Sequence, residues 1–296
     1  MGQSVLITGS SSGFGRAISE ALARHGHTVF ASMRDVGGKN AAAAAELTTW
    51  AQNENLSLHV IEMDVTDDAS VQAGVQQVID QTGHLDAVIN NAGTMVVGLS
   101  EACTLDQFRS MYEVNVFGAL RVNQAVLPIM RQQKSGYLIY LSSSGASLVY
   151  PFMGMYGSSK AALQAMAETL HYEVYSLGID TTIIQAGMYA TNLGNNFQPT
   201  ANEAVWSSYG PVGQIAQGYT QAFPQALAPG NAPGPEPVAE LIADLLQKPS
   251  EARPLKTTLG MYTEGVVAFH QATMPIQEQV VPALGLGMLL ERATDA

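Results

Sequence analysis

Tyr156 and Lys160 stand four residues apart in Tyr156-Gly157-Ser158-Ser159-Lys160. On a helix that spacing puts both side chains on one face. A free phenol, with a pKa of about 10, is a poor acid or base near neutrality. A neighbouring ammonium favours the phenolate and lowers that value. Such a tyrosine can give a proton to a ketone oxygen or take one from an alcohol. Upstream, the apolar run Tyr137–Leu141 ends in Ser142, Ser143 and Ser144. A hydroxyl from that trio could hold the same oxygen and stabilise developing charge.

A second cluster lies near the start of the chain. Val5-Leu6-Ile7 reads as a buried strand, and Thr8-Gly9-Ser10-Ser11-Ser12-Gly13-Phe14-Gly15 follows it. Gly9 can take backbone angles closed to other residues. Gly13 and Gly15 let backbone approach a pyrophosphate, with Phe14 between them and the hydroxyls of Ser11 and Ser12 beside it. Free N–H groups at the start of the next helix suit the phosphates. The spacing is Gly-x-x-x-Gly-x-Gly rather than Gly-x-Gly-x-x-Gly.

The end of the second strand bears on the choice of cofactor. Enzymes that use NAD place a carboxylate about 20 residues past the glycines, on the ribose hydroxyls. Here Met33 stands at that place and Arg34 follows. A guanidinium grips a 2′-phosphate in bidentate fashion, so the expectation is NADP(H) in preference to NAD(H). Asp35 comes next, and a shift of one residue would bring a carboxylate nearby.

Elements must position these residues. Strands are expected at Val5–Ile7, Thr28–Ser32, Leu58–Met63, Leu85–Ile89, Tyr137–Leu141 and Asp180–Gln185. Helices are expected at Ala17–His25, Ala41–Gln52, Ser70–Thr82, Leu105–Gln133, Ser158–Leu177 and Pro237–Gln247. Alternating strands and helices imply βαβ units and a parallel sheet. The expected fold is α/β: a three-layer, doubly wound Rossmann sheet in one domain spanning 1–296. Regular alternation fades after Thr191. Residues 192–237, rich in Pro, Gly, Asn and aromatics, read as a partly helical substrate lid, and 250–296 as a C-terminal extension.

The pattern resembles the short-chain dehydrogenase/reductase family, whose glycine motif is Thr-Gly-x-x-x-Gly-x-Gly. It continues through Asp64-Val65, Asn90-Asn91-Ala92-Gly93, Asn115, Ser143 and Tyr156-x-x-x-Lys160, covering residues 3–191. The resemblance implies roles. Asp64 and Val65 would flank the adenine, although Asp64 could equally cap the next helix. Asn91, Ala92 and Gly93 would floor the ribose site. Lys160 would also bond the nicotinamide ribose. Ser143, at the family's distance ahead of Tyr156, would hold the substrate oxygen. Asn115 would hold a water linking Lys160 to solvent, or else only shape a helix kink. Gly187, the Met188 backbone and Thr191 would clamp the carboxamide, with Ala186 replacing the family's Pro.

Candidate pocket residues are Met95, Val97, Ser144, Leu148, Tyr150, Met153, Tyr189, Phe197 and Trp206. Most are apolar, and the methionines are adaptable. They suggest a small-molecule substrate that is a bulky hydrophobic or aromatic ketone or secondary alcohol. The branch with steroid and retinoid dehydrogenases is the nearest likeness. A nonenzymatic NADP(H)-binding redox regulator on the same fold is the alternative. The family also implies a homodimer or homotetramer.

Bulk properties exclude other classes. The chain of 296 residues carries a net charge of −12, which opposes binding to nucleic acid or anionic membrane. One cysteine, Cys103, allows no internal disulfide or thiolate cluster. None of the six histidines has metal-ligand spacing, so no metal is expected. MGQSVLITG lacks the basic and long apolar regions of a secretory signal, so the expectation is cytoplasmic.

Overall fold

The computed structural model describes residues 2–292; the last four residues of the expected C-terminal extension lie outside the described residues. Its centre is a seven-stranded parallel sheet in the order β3-β2-β1-β4-β6-β7-β9. The strands are β1 Ser4–Ile7, β2 Thr28–Met33, β3 Leu58–Glu62, β4 Ala87–Asn90, β6 Gly136–Ser143, β7 Ile179–Ala186 and β9 Lys256–Leu259. A short parallel ladder pairs β5 Val96–Val97 with β8 Gln198–Pro199. The order reverses between β1 and β4, and ligands of such sheets bind at that switch, beyond the strands' carboxyl ends.

The central strands are buried on both faces, and successive side chains serve opposite layers. In β1, Val5 and Ile7 pack with Ile18 and Leu22 of α1 (Gly13–Arg24), Leu47 of α2 (Ala41–Asn53), and Val238 and Ile242 of α10 (Glu236–Gln247). Leu6 points the other way. It joins Val75 of α3 (Asp68–Thr82), Val122 and Val126 of α5 (Gly118–Gln133), and Leu163 of α6 (Gly154–Val174). The three-layer α/β fold expected from the sequence is the fold observed.

Two differences have physical causes. The expected continuous helix 105–133 is divided. The short helix α4 (Leu105–Tyr112) runs into a π-helical turn, Glu113–Phe117, before α5 begins. Such a turn widens the ladder to i→i+5 and swings Asn115 inward, where it is almost fully buried. The seventh strand was not legible. Lys256-Thr257-Thr258-Leu259 is short and polar, and β-structure there depends on pairing with β7, Ile183 opposite Lys256 through Ala186 opposite Leu259.

Residues 192–237 are partly helical. They contain α7 (Leu193–Asn196), β8, α8 (Glu203–Ser208) and α9 (Gly210–Ala226). After β9 the chain forms α11 (Glu264–Ala283). A buried ionic cluster ties this end to the sheet: Asp180 of β7 accepts from Ser250 Oγ at 2.6 Å and Arg253 Nη1 at 2.6 Å, and also from Arg292. No helix among the described residues is long and apolar enough to cross a membrane.

Candidate active site

A cavity of about 400 Å³ opens at the switch between β1 and β4. It runs from Arg34 at one end to Tyr156 and Lys160 at the other. All the expected cofactor residues line it except Gly15, Gly187 and Met188.

The glycine loop is built to leave room. Thr8 Oγ1 accepts the backbone N–H groups of Asn91 and Ala92, each at 3.0 Å. Asn91 Nδ2 returns bonds to the carbonyls of Thr8 at 2.8 Å and Gly9 at 3.1 Å. Asn91 thus works as a staple between β4 and the loop. Gly9 has φ 72°, and a Cβ there would lie 2.8 Å from Ala92 Cα. A Cβ on Gly15 would lie 2.3 Å from Gly9 O. Ser12 precedes α1 without a side-chain capping bond, so the first N–H groups of α1 and their positive helix end remain free for an anion. This cradle fits a pyrophosphate.

At one end of the cleft the cations come from the turn after β2. Met33 is buried, while Arg34, Lys39 and Asn40 line the cavity. Asp35 is absent from that lining. Its backbone adopts φ 52°, and its carboxylate accepts the Lys39 N–H at 2.7 Å. The turn also uses Asn40 Nδ2, which donates to Arg34 O at 2.6 Å. Lys39 was missed in the sequence because it lies five positions beyond Arg34. The Gly37-Gly38 pair was the available sign that the chain folds back. Asp64 Oδ1 accepts from Thr66 N at 2.9 Å and Thr66 Oγ1 at 2.8 Å, while Asp67 caps α3 through Ser70 N at 2.7 Å. Asp64 therefore holds a turn and leaves the cap to Asp67.

At the proton end, Tyr156 and Lys160 occupy the first turns of α6 and are buried. Lys160 Nζ donates to Leu141 O at 2.8 Å and lies 5.9 Å from the centre of the Tyr156 ring. Burial lowers the Lys160 pKa to about 8. Burial raises that of Tyr156 to about 12, with a hydrogen bond involving Ser143 acting the other way. This corrects the expectation that Lys160 would depress the phenol. Desolvation disfavours both charged forms, and the ammonium spends a donor on the strand carbonyl. Ser143 Oγ accepts from Gly145 N at 3.1 Å, which fixes the turn at the end of β6.

Asn115 has a saturated amide. Its Oδ1 accepts from Thr94 N at 2.8 Å, and its Nδ2 donates to Thr94 O and to Ser159 Oγ, each at 2.9 Å. Ser159 Oγ in turn donates to Tyr156 O at 2.7 Å. Asn115 thus fastens the segment after Gly93 to α6. A Cβ on Gly93 would lie 3.4 Å from Asn115 Oδ1 and 3.5 Å from Lys160 Nζ, so all three meet at one point.

Beyond β7 the arrangement differs from expectation. Gly187 N donates to Leu259 O at 2.9 Å, and Met188 forms an isolated bridge with Met261. The unforeseen strand β9 thus pairs with this backbone, and the Met188 side chain packs against the Tyr156 cluster. Thr191 does reach the wall, beside Gly13.

The expected substrate pocket divides. Met95 and Val97 form one buried cluster with Tyr156, Met111, Phe223 and Leu227, and Met153 and Phe197 pack against it. Phe223 and Leu227, from the segment after Thr191, were not foreseen. Tyr189 instead packs edge-on against Phe14 at 5.3 Å. Trp206 joins a separate cluster with Leu99, Ala102 and Ala216. Ser144 accepts from the Tyr150 hydroxyl at 3.3 Å, and Leu148 abuts Gly265 at the start of α11. No group of three metal-ligating side chains occurs among the described residues.

Relatives agree with this geometry. The family model for short chain dehydrogenases matches residues 3–202. A 3-ketodihydrosphingosine reductase of Bacteroides thetaiotaomicron is 33% identical over 195 residues, spanning 66% of this chain and 66% of that one. An uncharacterised oxidoreductase of Bacillus subtilis is 32% identical over 209 residues, spanning 69% of this chain and 73% of its own length. A solved short-chain dehydrogenase from Streptomyces avermitilis superposes with a TM-score of 0.76 at 30% identity, over 97% of this chain and 99% of that one. The chain therefore belongs to the short-chain dehydrogenase family of oxidoreductases, which use a nicotinamide dinucleotide.

Proposed function

We propose that this oxidoreductase uses NADP(H) to interconvert a bulky hydrophobic or aromatic ketone and its secondary alcohol. The observation that carries the reading is one cavity with a glycine cradle at its middle, two cations at one end, and Tyr156 with Lys160 at the other. The cofactor would lie along Gly9–Gly15, with Asp64 and Val65 at the adenine and Asn91, Ala92 and Gly93 beneath the ribose. Thr191 would meet the carboxamide.

Arg34 and Lys39 support NADP(H), since both reach the cavity while the Asp35 carboxylate is committed to its own turn. Paired cations bind a 2′-phosphate by charge-assisted hydrogen bonds. When bound, the nicotinamide supplies or accepts the hydride. Tyr156 remains a phenol to high pH, ready to donate a proton to a carbonyl oxygen. Ser143 orients that oxygen. Lys160, charged below about pH 8, supplies positive charge beside the phenol and a donor for the ribose. Asn115 acts by positioning, through Thr94 and Ser159.

Residues 192–237 form the lid, because Phe197, Phe223 and Leu227 close over the Tyr156 cluster. The test is NADPH absorbance with a panel of aryl and alicyclic ketones, comparing wild type with Tyr156→Phe. Turnover that disappears in the variant is expected. Full turnover in Tyr156→Phe would remove its assignment as proton donor. Equal or better use of NADH would remove the cofactor preference.

A further inference from the structure

The Tyr156 cluster draws on α4, which gives Met111 and pairs its own Asp106 and Arg109 on the outside, and on three further segments whose charge content is unusual. Residues 87–100, which include Met95 and Val97, contain no Asp, Glu, Lys or Arg. Neither do residues 135–159, which run from β6 through the Ser143 turn to the first turn of α6. The lid, residues 192–237, contains two charged residues, Glu203 and Glu236, both acidic and exposed. Lys160 is followed by no Lys or Arg until Lys248. The groups packed around Tyr156 are Met, Val, Phe and Leu. Besides Lys160, the cations lining the cavity are Arg34 and Lys39, in the turn after β2.

We propose that the substrate chamber selects against anions: it accepts uncharged lipophilic carbonyl compounds and rejects those bearing a carboxylate, a phosphate or a coenzyme A tail near the reacting carbon. This rests on the reading that Tyr156 faces the substrate. An ionised group taken from water into such walls loses its hydration, and the one cation nearby, Lys160, already spends a donor on Leu141 O at 2.8 Å. The acidic net charge adds a repulsive field at longer range.

The test uses a matched pair, methyl 4-oxo-4-phenylbutanoate and 4-oxo-4-phenylbutanoate, which differ in charge a few bonds from the ketone. Two readouts separate this proposal from the catalytic reading. One is kcat/KM of the wild type. The other is calorimetric binding to the Tyr156→Phe protein saturated with NADP⁺, which needs no turnover. The ester is expected to exceed the acid by about 100-fold or more in both. Met153→Arg, one helical turn before Tyr156, is expected to raise affinity for the acid at least about tenfold and leave the ester weaker. Equal binding of ester and acid to the unaltered lid and walls, with or without turnover, would overturn the proposal. Tighter binding of the acid would do so as well. Preference for the ester in binding without turnover would support the chamber's selectivity and count against the catalytic reading alone.

Discussion

Residues 3–191 and the chain beyond them are built on different terms. In the first part each reactive group sits at the end of a strand or the start of a helix, and the strand is buried on both faces. Gly9, Asn91, Ser143 and Tyr156 are placed by elements whose own packing would hold without a ligand. In the second part the elements that reach the site first are short, and their packing depends on the first part. Helix α7 has four residues and β8 has two, and Phe197, Phe223 and Leu227 find their core only against Tyr156, Met95 and Val97. A scaffold of regular strands supplies precision, while a dependent cover supplies shape.

The largest test of that contrast is Tyr156→Phe. It removes one hydroxyl from the rigid half, and kcat is expected to fall by about 10³-fold or more with the melting temperature within a few degrees of wild type. A large drop in melting temperature would mean the hydroxyl serves packing. Asp180→Asn probes the joint between the halves. It leaves Arg253 and Arg292 without their buried partner, and a loss of about 3–5 kcal/mol is expected in denaturant unfolding. A single cooperative transition would show that the C-terminal part unfolds with the sheet, and two transitions would break the joint apart.

Lys160→Met should separate stability from function. The ammonium's pKa falls from 10.5 to about 8 on burial, a cost to the cofactor-free fold on the order of 3 kcal/mol at pH 7. The folded value is the lower one, so this cost is fully present below pH 8. It disappears as the pH rises from 8 to 10.5. The variant should melt several degrees above wild type at pH 7, with the gap closing at pH 10, while activity is lost. A lower melting temperature at pH 7 would show that the bond to Leu141 outweighs desolvation. By the same titration, wild-type ketone reduction should decline above about pH 8. Arg34→Ala is the smallest effect, an expected rise of about 10- to 100-fold in KM for NADPH with KM for NADH little changed.

Legibility followed the same division. The six strands of the large sheet up to Ala186 announced themselves as apolar runs, four of them, β1, β4, β6 and β7, with a glycine, asparagine or serine motif at the exit. Helix α1 begins at Gly13, earlier than its apolar period suggested, because Gly13 and Gly15 carry no periodic signal. Asn115 was visible as a polar residue in an apolar helix. Its π turn was not, since an i→i+5 step leaves no mark on composition. Strand β9 is polar, and α11 contains Pro275 and Pro282, residues that argue against a helix interior. β9 is imposed by its pairing with β7. Lys39 and Phe223 were hidden for a related reason: their places in the site are decided by a turn and by a covering helix, and not by distance along the chain.

The ladder between β5 and β8 has one more consequence. Gln198 N–H donates to Met95 O at 2.9 Å and Thr200 N–H to Val97 O at 3.1 Å, with Pro199, which has no N–H, between them. Those two amides are therefore a built-in clock for the cover. Their protons can trade with deuterium from solvent only when the cover lifts, and their exchange rates, read by mass spectrometry and divided by the free-amide rates, give the fraction of time the cover is open.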